Sequence, residues 1–235
     1  MDWWDEVVRR LEPATGEVSL TAAAVWTVLA ASVLVVAVEP LWRVLRIAVT
    51  LVHELGHAVV GMAAGRRFTG FVLRGDMSGH AATVGRARGI GRVVSTWAGY
   101  PAPAVVGAAM AWVAGLGWAA AFIGGILVIL LFALVRVRSP LTLLVMLVAI
   151  AATGALWWWR DDLLQAQVLA GTGIVLVIGA WRHVAAVART SDRSSDPGVL
   201  ASLTHVPRVV WNLSFAIVCA AATWVVATEV LSALQ

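Results

Sequence analysis

Val49-Thr50-Leu51-Val52-His53-Glu54-Leu55-Gly56-His57-Ala58-Val59-Val60 sets three ionisable side chains within five residues of an otherwise apolar stretch. Ionisable groups within an apolar membrane helix are costly and point to function by default. His53 and His57 are four residues apart, so on a helix they share one face. Two imidazoles one turn apart can ligate a single Zn²⁺, and Glu54 lies beside them, placed to deprotonate a water. The ion brings the pKa of that water towards ~7 and so makes a hydroxide able to attack a carbonyl. A catalytic zinc takes three protein ligands and keeps one open position. The third ligand must come from His80, His183, His205, Asp76, Asp192 or Asp196, because Glu39, Asp161, Asp162 and Glu229 fall at the far ends of the apolar runs. Among these, Asp192 sits between Arg189, Arg193 and Ser194 and reads as facing water.

The rest of the chain supplies the setting. Of its 235 residues 61% are hydrophobic and 13% charged, against ~45–50% and ~25% in soluble domains. A spanning helix needs ~20 mostly apolar residues, and about seven stretches meet that need. The expected fold is an all-α polytopic membrane protein, one domain over residues 1–235. It has about six to seven membrane helices and a small β-hairpin after the motif helix. The spans are read at 20–38, 41–64, two within 93–135, 141–159, 163–181 and 211–231. Pro101 and Pro103 break the start of the third, and a turn is expected at Gly115-Leu116-Gly117. Residues 66–92 are too short and polar to cross. Glycines there and the turn signal Asp76-Met77-Ser78-Gly79 predict the hairpin. Residues 182–208 read as a polar loop, and Trp157-Trp158-Trp159 as an interfacial belt.

All 17 basic residues are arginine, and the net charge is +4. In a soluble protein that excess would suggest nucleic acid. Here the arginines lie between apolar runs, where the positive-inside rule accounts for them, and no nucleic-acid partner is expected. With a cytoplasmic tail over 1–19 and seven crossings, 14 arginines fall inside and only Arg43, Arg46 and Arg160 fall outside; the second helix is the one that can instead enter the membrane without fully crossing it. That reading puts the amino terminus in the cytoplasm, the carboxyl terminus outside, and the loop 182–208 inside. The first span is long for a signal-peptide core and follows five acids, so it reads as a retained anchor. Cys219 is alone, which rules out an intrachain disulfide. Arginine without lysine, with abundant Ala, Val and Gly, suggests a GC-rich bacterial genome, and hence a multi-pass protein of the bacterial plasma membrane. The oligomeric state is not legible in the sequence.

His53-Glu54-Leu55-Gly56-His57-Ala58, in a membrane helix of a small polytopic protein, resembles the site-2 protease family of intramembrane zinc metalloproteases. The resemblance covers most of the chain: motif helix, glycine-containing hairpin, further spans, then a late segment with an aspartate. In that family the aspartate stands in an Asp-Gly motif followed by leucine, and Asp196-Pro197-Gly198-Val199-Leu200 is the nearest match, with an inserted proline. The resemblance implies His53, His57 and Asp196 as ligands of a Zn²⁺ cofactor and Glu54 as general base. It also implies a hairpin that presents an edge to an unwound substrate, with Gly79 and His80 as substrate contacts. Ser95-Thr96-Trp97-Ala98-Gly99-Tyr100-Pro101 resembles the family's Gly-Pro segment, which usually continues to an asparagine; the only asparagine here is Asn212.

The implied activity is hydrolysis of peptide bonds in membrane-spanning or juxtamembrane segments, so the expected partners are a membrane-protein substrate and the lipid bilayer. No polar stretch exceeds ~30 residues, too few for an appended sensing domain. Gly61 and Gly65 form a small-x-x-x-small pair suited to close helix packing. The alternative is a non-proteolytic membrane protein, either a scaffold descended from a protease or a metal transporter. A transporter would carry acids or histidines on several spans, and the late spans here hold almost none.

Overall fold

A computed structural model describes residues 3–14, 21–76 and 78–235. Its helices are α1 (Trp3–Arg9), α2 (Ala22–Ala37), α3 (Glu39–Ala63), α4 (Ile90–Trp97), α5 (Pro101–Gly115) and α6 (Ala119–Leu134). They continue as α7 (Pro140–Trp158), α8 (Asp162–Ala188), α9 (Asp196–Thr204) and α10 (Arg208–Ser232), and a hairpin of β1 (Arg67–Leu73) and β2 (Gly79–Val84) follows α3. Helices α3, α7, α8 and α10 are long and apolar enough to cross a membrane; α2, α5 and α6 are shorter apolar helices. Residues 15–20, and with them the expected start of the first span, lie outside the described residues, as does Met77 of the hairpin turn.

Helix α8 is the central post. It packs on α5 so closely that a Cβ on Gly107 or on Gly173 would strike the other's carbonyl oxygen, and small residues alone allow two helices this near. Helix α10 closes the other side of α5, with Phe215 and Cys219 fully buried between them. The α5–α6 turn falls where the glycines predict it, with Gly117 at φ 75°. Pro101 and Pro103 withhold the amide donors that would run α4 straight into α5, which separates the two at Ala98–Tyr100.

Side-chain and backbone contacts sort the chain into two ends of this bundle. At one end lies α1: Arg10 donates to the Trp158 carbonyl and stacks over that indole, Arg160 donates to the Arg9 carbonyl, and the Ala14 N–H bonds the Gly117 carbonyl at 2.9 Å. The last turns of α10 are there too, Glu229 lying against Gly115. The hairpin, the α6–α7 connection and α9 occupy the opposite end. Helix α2 runs parallel to α8, since Gly171 meets Val28 and Arg182 donates to the Val36 carbonyl at 3.1 Å. It therefore starts at the α1 end and finishes at the hairpin end.

This arrangement corrects three expectations. The tail before α2 and the loop after α8 sit at opposite ends, so both cannot be cytoplasmic; instead the two termini share an end. Helix α3 starts beside Arg182, which stacks on Trp42 at 4.2 Å, and finishes beside Gly91, where the Ala64 carbonyl approaches. Both its ends thus lie at the hairpin end, and it is inclined there rather than running the length of the bundle. The reason is in its sequence: Glu39, Arg43, Arg46, Thr50, His53 and His57 recur every three or four residues, a polar stripe along the whole helix. Crossing would bury that stripe in hydrocarbon. Six stretches run between the two ends of the bundle among the described residues, α2, α4–α5, α6, α7, α8 and α10. Finally, α8 continues to Ala188 and residues 196–204 are helical, so the stretch 182–208 is only in part a loop.

The hairpin is fastened on two sides. Arg66, buried at 6% exposure, donates to Thr83 and to the Arg86 carbonyl and ties the strands to the end of α3. The strands are antiparallel from Arg67↔Val84 to Leu73↔Gly79, with a bulge between Phe68 and Gly70. The other edge of β1 is taken: the Phe71 N–H bonds the Arg136 carbonyl at 3.1 Å and the Arg138 N–H bonds the Phe71 carbonyl at 3.2 Å. Only β2 keeps a free edge among the described residues. Gly65 has φ 77° and nothing close to it, so it turns the chain out of α3 and is not half of a packing pair; Gly61 does pack, against Ser95.

Sidedness is testable directly. Reporters placed at the amino terminus and after Asp162 should read the same side, and reporters after Arg138 and after Arg193 the opposite side. An amino terminus that reads with Arg138 would overturn the assignment of α1 and α2.

Candidate metal centre

The motif helix α3 is clasped to the α4–α5 junction by glycine and by a reciprocal pair of hydrogen bonds. The Ser95 hydroxyl donates to the His57 carbonyl at 3.0 Å, and His57 Nδ1 meets the Ser95 carbonyl at 2.7 Å. A carbonyl only accepts, so Nδ1 carries the proton and the lone pair of His57 is on Nε2. Gly56 lets the Ala98 carbonyl and Ala102 approach α3, and Gly61 admits Ser95. His53 is held edge-on against Tyr100, whose ring stacks on Phe215 with centroids 5.0 Å apart.

The third member comes from the far end of the chain. Ser195 occupies the cap position of α9, so Asp196 is in the first turn and is not the cap. Pro197 follows, where a missing N–H costs nothing, and the fully buried Leu200 anchors the helix in the core with Phe215. Gly198 admits the Asp192 and Arg193 carbonyls, which fold the preceding loop back over the helix start. Asp196 Oδ2 is thereby brought 3.3 Å from His53 Nε2 and 3.2 Å from His57 Nε2, and the two Nε2 atoms are 3.1 Å apart.

This triangle fits a metal. Ligand atoms at ~2.0–2.1 Å around a tetrahedral zinc stand about 3.3–3.4 Å from one another, close to the three separations found. Asp196 Oδ2 is buried and accepts no hydrogen bond among the described residues. With His53, like His57, in the tautomer that leaves Nε2 free to ligate, three lone pairs point at each other and a cation among them relieves the repulsion. Gly99 backs the triangle: a Cβ there would fall against His57 Nε2 and Cε1 and 2.7 Å from His53 Nε2. Among the described residues this is the one group of three or more His, Cys, Asp or Glu side chains able to share an ion.

Glu54 is the fourth element. It is 4% exposed, and a Cβ on Gly79 would stand 2.5 Å from its Oε1, so the start of β2 covers it. The whole group opens into a cavity of about 760 Å³ between β2 on one side and the last turns of α8 on the other. His80 and Gly79 line it; His205 and Asn212 do not. Asp192 lines it too, but Ser194 bonds it through both its N–H and its hydroxyl, which holds this carboxylate below its usual pKa and engages its oxygens.

One cavity residue went unassigned in the sequence. His183 sits on α8, its ring centroid 6.3 Å from that of His53. Reading 182–208 as loop hid it. The helical signal was the apolar run Val184, Ala185, Ala186 and Val187, which carries α8 onward past Arg182.

A family model described as Peptidase M50B-like matches residues 25–226. Comparison with curated proteins and with solved structures finds no match.

Gly99→Ala tests the donor triangle. The added methyl must push the imidazoles apart, so zinc affinity should fall at least as far as when an outer partner of a ligand is lost, about 10–100-fold. Gly125→Ala, at a position with open space around its Cβ, should leave zinc binding unchanged. Equal zinc titrations for the two variants would remove the triangle as the binding site.

Proposed function

We propose that this chain, which belongs to the peptidase M50B-like family of site-2 protease-type membrane metallopeptidases, is an active zinc endopeptidase that cleaves membrane-spanning or juxtamembrane segments of other proteins. The observation that carries the proposal is the convergence of His53, His57 and Asp196 beside a buried Glu54 at the head of a single cavity. His53, His57 and Asp196 would hold the ion. Zinc, when bound, supplies Lewis-acid polarisation and makes water acidic enough to be deprotonated near neutral pH.

The chain's own groups do the rest. Ser95 fixes the tautomer of His57, and Tyr100 fixes the plane of His53. Glu54, shielded by Gly79, takes a proton from the attacking water and returns it to the leaving amine. Peptide bonds inside a helix are not accessible, so the substrate must be extended where it is cut. The free edge of β2 can pair with an extended strand, and Gly79 and His80 are on the part of it that faces the cavity.

The site end of the bundle is the cytoplasmic one in this reading. Moving Arg43 and Arg46 to that end, and Arg9 and Arg10 away from it, leaves the count at 14 arginines against 3, so the positive-inside rule still selects one orientation. Both termini are then external, in the plasma membrane of a bacterium.

Glu54→Gln should keep its zinc and lose cleavage of a model transmembrane substrate by ~10²–10⁴-fold, the usual weight of a general base. Asp196→Ala should lose both zinc and cleavage, while Asp192→Ala keeps both. Full activity in purified Glu54→Gln would end the hydrolase reading.

A further inference from the structure

His183 neither belongs to the donor triangle nor moves a proton, yet its position is costly. It is carried on α8, a helix whose neighbouring turns bury Gly179, Ala180, Val184 and Val187. An imidazole there would be expensive if it only filled space. It lines the cavity beside His53 and makes no side-chain hydrogen bond to the described residues.

Its place relative to Glu54 is what gives it a use. Glu54 lies under Gly79, on the β2 side of the donor triangle. His183 lies on the α8 side. A chain paired to the free edge of β2 passes between the two. The base that activates water and the donor that steadies the carbonyl oxygen cannot be one group, because the first must take a proton while the second offers one. The α8 side offers few other donors. Ala186 and Val187 have none, Thr190 lies past the end of α8 with its hydroxyl oxygen accepting the Asp192 N–H at 3.2 Å, Arg46 is exposed and lies two turns before His53, and no asparagine or glutamine lines the cavity. Tyr100 lines the cavity from the α4–α5 side instead, its ring between His53 and Phe215.

We propose that His183 is a further catalytic residue, whose ring N–H hydrogen-bonds the oxygen of the scissile carbonyl from the wall opposite Glu54. The inference rests on the peptidase reading. As water adds to the carbonyl carbon, Glu54 accepts one proton and the carbonyl π pair moves onto oxygen, where His183 donates a hydrogen bond without giving up its proton. The C–N bond then breaks, and Glu54 returns its proton to the departing amine, leaving a carboxylic acid and an amine.

The test uses the full chain in detergent micelles or proteoliposomes, as wild type, His183→Ala, His183→Gln and Glu54→Gln. Three quantities are read: zinc content, kcat and KM for a transmembrane substrate, and the affinity for a phosphinic peptide, whose tetrahedral anionic centre mimics the charged oxygen. In His183→Ala, zinc content and KM should hold, while kcat and phosphinate affinity both fall about 10²–10³-fold, the effect of removing one such donor. His183→Gln, which keeps an N–H, should recover at least a tenfold share of kcat. Unchanged kcat in His183→Ala, a loss confined to KM, or loss of zinc would each overturn the role. The peptidase reading fails separately: wild type that holds no zinc, or that cleaves no better than Glu54→Gln, defeats it and the His183 role with it.

Discussion

The close approach of α3 to the α4–α5 junction is the contact on which the site depends. It is made possible by the absence of side chains at Gly56, Gly61 and Gly99 and is sealed by two hydrogen bonds between His57 and Ser95. Without the glycines, a Cβ would hold the helices apart, the Ser95 carbonyl would not reach His57 Nδ1, and the imidazole would be free to choose its tautomer. Pro101 contributes from outside the contact. By separating α4 from α5 it leaves Ala98–Tyr100 free to shape itself to the motif helix instead of continuing as a straight rod.

That contact explains the unusual course of α3. A helix of 25 residues is long enough to cross a bilayer, but its stripe of polar groups needs a wet neighbour. Lying inclined at one end of the bundle, it turns Arg46, Thr50, His53, Glu54 and His57 into a cavity that the hairpin, α8 and the loop before α9 complete. Its apolar side, with Leu51 and Val49, packs inward on Phe71, Leu130 and Met146 and on α8. The polar groups thereby face a shared cavity, the setting an ionisable group in an apolar protein needs.

The hairpin has two jobs in one short segment. Arg66 and the Arg136–Arg138 connection fix it to the protein, which occupies the outer edge of β1, and Gly79 lays its second strand over Glu54. Among the described residues, the strand edge that remains free faces the cavity that His53, His57 and Asp196 line. In the proposed peptidase, placement of substrate and shielding of the base would therefore come from the same strand, and a shift of β2 would disturb both.

How much was legible beforehand can be traced residue by residue. Apolar runs of spanning length, the Pro101–Pro103 break, the Gly117 turn, the hairpin and the His53-Glu54-x-x-His57 face are all local properties, set by side-chain volume, backbone freedom and helical period within a few residues. They are readable one after another along the chain. The polar stripe of α3 was equally local, but averaging hydropathy over the run concealed it and made an inclined helix look like a crossing. The sidedness of α1 and α2 was not local: an arginine count is unchanged when two arginines are exchanged for two others, so only the bonds of Arg10, Ala14 and Arg182 to distant carbonyls decide it. The meeting of Asp196 with His53 and His57, 143 and 139 positions away, likewise depends on buried packing of α9 through Leu200. The position of His183 opposite Glu54 depends on how α8 stacks beside α5. Contacts between residues so far apart are fixed by which surfaces fit and exclude lipid together, and one-dimensional spacing does not contain that information.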